Sequence, residues 1–135
     1  MTAMRSGLRK GPLHARARSL TVLASIIGRK HGVRVVFRSC ETASTDGKTI
    51  YLPTLSADAT EEDAVLVEGL LDHEAGHCRF TDFEFVKTQE VQDAIRSHAL
   101  VHPTWNTFED VWMEREQSKV YPGCFRNIKK SVEVM

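Results

Sequence analysis

His73, Glu74 and His77 stand together in HEAGH, within GLLDHEAGHCRFTDF at residues 69–83. On a helix, residues four apart share one face, about 6 Å apart along the axis. Two imidazoles at that spacing can hold one metal ion. Glu74, roughly 100° further round, leaves that line and can reach a water on the metal as a general base. A catalytic zinc site needs these parts, a third ligand and an open coordination position. Gly76 has no side chain and leaves room for a substrate strand or another backbone to approach. The spacing also has a purely structural account. Leu66, Leu70, His73, His77 and Phe80 step 4-3-4-3, so the histidines continue an apolar stripe. A third ligand decides between the two.

TWNTFEDVWMEREQSKV, residues 104–120, supplies a candidate. Trp105, Phe108, Glu109 and Trp112 step 3-1-3, which places Glu109 inside an aromatic packing stripe with the tryptophans as core anchors. A carboxylate there is costly unless it is paired or bound to metal. Asn106 and Asp110, four apart on the adjoining face, can orient the ligands from outside. The structural alternative for Glu109 is a salt bridge to Arg115 or Arg126. The stretch between His77 and Glu109 has room for a loop and a returning helix.

The elements that must position these groups follow from periodicity and punctuation. Residues 1–12 form a basic, flexible leader. Leu13 to Lys30 reads as a helix with Leu20, Val22, Leu23, Ile26 and Ile27 on its apolar face. VRVVF (33–37) is a β-rich run, ETASTDGK (41–48) is turn chemistry, and TIYLP (49–53) is a second strand. Pro53 suits a sheet edge, and an edge strand here would receive an extended peptide, with Tyr51 lining the cleft. Thr60 and Asp63 make a near-capping box that starts a long helix running to about Phe80. Glu61 and Glu62 favour its positive end. Shorter helical segments follow at Gln89 to Leu100 and, after Tyr121-Pro122-Gly123, at 124–135. The last one stops without a cap, as in a chain that continues into another module.

At 135 residues the chain is expected to form one domain able to bury a core without disulfides. Cys40, Cys78 and Cys124 are odd in number and unpatterned, which fits a reducing cytoplasm. No apolar run has the length of a membrane span. Residues 1–38 carry 9 Lys/Arg and no acid, whereas the rest carries 9 Lys/Arg and 18 Asp/Glu. The front is thus +9 and the remainder −9, a balance expected to be satisfied within the domain. No aromatic interleaving supports a nucleic-acid grip.

HEAGH followed by NTFED (106–110) resembles the gluzincin branch of the zincin metallopeptidases, where a glutamate on a later helix completes HExxH. More narrowly, TDGKTIYLP, HEAGHCRFTDF and WNTFEDVWMER, in this order over about residues 45–118, resemble the metallopeptidase-like region of cobaltochelatase-type von Willebrand A proteins of proteobacteria and phages. The resemblance implies an α+β zincin-like domain, mostly helical with a small sheet. It implies Zn²⁺ on His73, His77 and Glu109 with Glu74 as base, and partners comprising a von Willebrand A module and an AAA+ ATPase. A Glu-x-x-x-Asp pattern is absent, since Met113 stands four after Glu109, and this leaves Asp110 as an alternative ligand. The expected function is zinc-dependent hydrolysis of a peptide or protein substrate. The alternatives are a non-catalytic zinc-stabilised interaction module, and a nucleic-acid-associated protein using the basic front.

Overall fold

The computed structural model describes residues 12–30, 32–56 and 58–135, and only the backbone over 12–18. The basic stretch up to residue 11 lies outside them. Helix α1 (Pro12–Gly28) leads into β1 (Arg34–Arg38), β2 (Ser44–Thr45) and β3 (Thr49–Pro53). Then come α2 (Glu61–Phe80), α3 (Phe83–Val86), α4 (Gln89–Ser97), α5 (Val101–Val120) and α6 (Pro122–Val134). The fold is mostly helical with one small mixed sheet, in line with the α+β expectation.

The sheet order is β1-β3-β2, with β1 parallel and β2 antiparallel to β3. The expectation that 49–53 forms the edge is therefore corrected: β3 is the central strand. Its Ile50 and Leu52 are fully buried, which an edge exposed on one side would not achieve. Pro53 is tolerated because it is the last residue of the strand. The true edge beside α2 is the two-residue β2, hidden in a segment rich in turn residues. Asp46 Oδ1 accepts from Lys48 N and Thr49 N, each at 2.8 Å, and closes the β2–β3 turn. Gly47 sits at φ 93 under Phe83, whose ring would lie 2.7 Å from any β-carbon there. Only glycine fits both the dihedral and the space.

α2 is the central helix, packed on α1, the sheet, α5 and α6. Its start is local chemistry: Thr60 Oγ1 accepts from Asp63 N at 3.2 Å, and Asp63 Oδ2 accepts from Thr60 N at 2.8 Å. The main core joins Leu20, Ala24 and Ile27 of α1 with Ile50 and Leu52, and with Val67, Leu71, Ala75 and Cys78 of α2. α5 begins at Val101, three residues before the 104–120 segment, and its first turn accommodates Pro103. Among the described residues, no helix is long and apolar enough to cross a membrane.

Candidate metal centre

α2 and α5 run antiparallel, and four residues of α5 meet α2 along one seam. His77 faces Asp110, and His73 faces Glu114. One turn on, Gln117 Nε2 donates to the backbone carbonyl of Asp72 in a short bond. Met113 and Gln117 fill the space above Gly76. Gly76 therefore admits the side chains of α5 and not a substrate strand, which corrects the expectation of an open approach. The buried residues of α5 are Met113 and Gln117, with Asp110 and Glu114 half-buried beside them. The aromatic stripe is not the packing face: Phe108 is 71% and Trp112 46% exposed. Trp112 meets Phe80 edge-on at 6.3 Å at the surface and is no core anchor.

Three ligand-type atoms converge at this seam. His73 Nε2 and His77 Nε2 lie 3.2 Å apart, and Asp110 Oδ1 lies 3.6 Å and 3.0 Å from them. Ligand arms of about 2.0 Å in a tetrahedral zinc site imply ligand–ligand edges of about 3.3 Å. The three spacings scatter about that value. The other ring nitrogens are already used. His73 Nδ1 is 2.8 Å from Glu114 Oε1, so it donates there. Thr81 Oγ1 donates to Glu109 Oε1 at 2.7 Å and accepts from His77 Nδ1 at 2.8 Å. With both Nδ1 atoms protonated, two Nε2 lone pairs point at one spot. Only a proton or a metal ion relieves that repulsion, and carboxylate-oriented imidazoles are the usual outer support of a metal.

The electrostatics agree. Burial pulls His73 down, but the Glu114 hydrogen bond and the charges of Glu74, Asp110 and Glu114 outweigh it and raise the imidazole. Burial and then the charge of His73 lower His77, against Asp110 and Glu109. The two imidazoles are thus shifted in opposite directions, His73 up and His77 down. Burial pushes the Glu74 carboxyl up to about 7, with His73 pulling it back and Asp110 pushing it further.

Of the residues singled out in the sequence, His73, Glu74, His77, Asn106, Glu109 and Asp110 all line one cavity of about 470 Å³. Within it the carboxylate whose oxygen converges with the two Nε2 atoms is that of Asp110. Glu109 reaches His77 through the Thr81 hydroxyl. Tyr51 is absent from the lining: it projects from the sheet face opposite Ile50 and Leu52, with the Arg38 guanidinium 4.1 Å from its ring centre. Glu114, Thr81 and His102 were not assigned to the site from the sequence. Glu114 had a signal, since Asp110 and Glu114 repeat on α5 the four-residue spacing of the histidines. His102 lines the cavity as well.

The family model for cobalamin biosynthesis protein CobT matches residues 14–134. The chain belongs to the CobT family. This supports the cobaltochelatase-related side of the resemblance and adds nothing to the zincin metallopeptidase side. No curated protein and no solved structure matches the chain. The CobT match runs from within α1 to the end of α6, so the α2–α5 seam and the helices that build it lie within the family's own extent.

Proposed function

We propose that this CobT-family chain is a metal-held interaction module of a cobaltochelatase-type assembly, working with a von Willebrand A protein and an AAA+ ATPase. The observation that carries it is the convergence of His73 Nε2, His77 Nε2 and Asp110 Oδ1 at the α2–α5 seam. Zn²⁺ fits this donor set of two imidazoles and one carboxylate. A bound ion would supply a cross-link between helices whose ligands lie far apart in sequence. Glu114 and Thr81 would hold the two rings in the right tautomer, and Glu109 would hold Thr81. The membership in a family of cobalamin biosynthesis proteins favours this reading. The test is co-purification of the metal-loaded chain with the two partners, compared with His73→Ala/His77→Ala. Equal capture by the metal-free variant would end the proposal.

One observation favours a second reading, peptide hydrolysis. Glu74 is 8% exposed, lines the same cavity, and has a carboxyl raised to about 7, the range suited to a general base. Ser44 and Thr45 of edge strand β2 line the cavity too, so the strand that could receive an extended peptide is β2 and not β3. His102, which lines the same cavity, would be the donor to a developing oxyanion. Screening a peptide library against wild type and Glu74→Gln separates the readings. Cleavage that falls about 10²–10⁴-fold in the variant, with metal retained, supports hydrolysis. No cleavage by wild type with partners present leaves the interaction module.

A further inference from the structure

Away from the metal seam, three helix ends meet. α1 ends at Gly28, α2 at Phe80, and α5 gives way to α6 at Tyr121. Arg29 directly follows α1 at φ 49, a left-handed conformation that a residue with a β-carbon adopts at a cost. The guanidinium of Arg79 lies 5.0 Å from the ring centre of Tyr121 and 5.1 Å from that of Phe80. Its Nη1 is buried and makes no hydrogen bond. The Tyr121 hydroxyl donates to Ile26 O at 3.4 Å. Arg29 first and then Arg79 are close enough to its oxygen to lower the phenol's pKa.

Arg79 stacks on the Tyr121 ring and Arg29 follows by three residues the Ile26 carbonyl that holds its hydroxyl, so two guanidiniums gather at one tyrosine and favour an anion there. Among the described residues, the ion pairs join other groups, and neither arginine has a carboxylate. The N-terminus of α6 adds the same sign: it is the positive end of a 13-residue helix, and Tyr121 gives it no side-chain cap. Arginine is the side chain best shaped to grip a planar or tetrahedral oxyanion. Arg29 also lines a cavity of about 570 Å³ along α1, together with Thr21, Val22, Ser25 and Ile26. An anion held at the arginines could thus carry a partly apolar body along that helix.

We propose that Arg29, Arg79 and the α6 N-terminus at Tyr121 form an oxyanion site for a phosphate or carboxylate ligand. No residue of this site lines the metal cavity, so it can be tested separately. The whole chain is titrated with inorganic phosphate, and in a second series with butyrate, at constant ionic strength set by sodium chloride. Arginine Nε–H and backbone amide signals are followed by two-dimensional NMR. The expected result is a saturable shift at Arg29, Arg79 and Gly123 for at least one anion. Phosphate alone, or phosphate more tightly, assigns a phosphate ligand; butyrate more tightly assigns a carboxylate. Arg79→Gln should weaken the binding about tenfold or more, as loss of a charged hydrogen bond does. Arg29→Gln, at an exposed position, serves where Arg79→Gln fails to fold. Shifts that never saturate, or an affinity unchanged in the variant, would overturn the proposal.

Discussion

Asp110 Oδ1 lies 3.0 Å from His77 Nε2, across a seam joining helices that begin forty residues apart, at Glu61 and Val101. Its neighbour Glu109 reaches the same imidazole only through the hydroxyl of Thr81. One step around α5, about 100°, separates a direct contact from an indirect one.

Asp110→Ala should therefore abolish stoichiometric zinc binding, whereas Glu109→Ala should keep most of it. Glu114→Gln should weaken affinity about 10–100-fold, the usual cost of losing the group that orients a ligand imidazole. Chelator competition with elemental analysis reads all three. Zinc kept by Asp110→Ala and lost by Glu109→Ala would return the third position to Glu109.

Zinc bound at the seam should stabilise the native chain, because the unfolded chain lacks the preformed site. The melting temperature should fall with chelator and recover with added zinc, more so as free zinc rises. With the ion in 100-fold excess over Kd, the gain is about 2.7 kcal/mol. A melting curve indifferent to verified metal removal would show that the seam holds without it.

Asp72 makes stability depend on pH. It is fully buried, and burial raises its carboxyl from 3.8 to about 6, partly offset by the hydrogen bond from Asn127. The folded state thus binds this proton more tightly than the unfolded state. Its contribution is fully present below about pH 4 and is lost as pH rises to about 6, on the order of 2–3 kcal/mol for the shift cited. Asp72→Asn should flatten that slope and match or exceed wild-type stability at pH 7–8. Urea titrations of both proteins across pH 4–8 measure the difference; parallel curves would count against it.

Two glycines of α2 should respond differently to alanine. A β-carbon at Gly69 would collide with Ser131 and lie 2.9 Å from the backbone carbonyl of Asn127, so α6 itself must shift. At Gly76 it would collide with Met113 and lie 2.8 Å from Gln117 Oε1, both side-chain atoms of α5. Gly69→Ala should cost about 1–3 kcal/mol with zinc affinity little changed. Gly76→Ala should lower zinc affinity as well, because it pushes apart the helices that hold the ligands. Equal zinc affinity in the two variants would contradict this placement of the seam.

The sequence by itself determined the parts governed by near neighbours. The Thr60–Asp63 cap, the helical placement of His73 and His77 on one face, and the strand at 49–53 depend on contacts within a few residues. It also brought Asp110 and Asn106 to the right helix. The edge strand β2 was not legible, because two residues in a turn-rich stretch carry no periodicity. The central place of β3 depends on its parallel pairing with Arg34–Arg38, a run legible as β-rich whose pairing no local signal announces.

Only the tertiary structure decided which face of α5 turns inward. Hydrophobic spacing pointed to Trp105, Phe108 and Trp112, yet the inward row is Asp110, Met113, Glu114 and Gln117. Three of those four are polar, and their burial is sustained by partners on α2: the two histidines and the Asp72 carbonyl. A polar residue is read as exposed until its partner is known, and here the partners lie 33 to 45 positions away. The helix interface supplies those partners, and it puts Asp110 in direct contact with the histidines while Glu109 reaches His77 through Thr81.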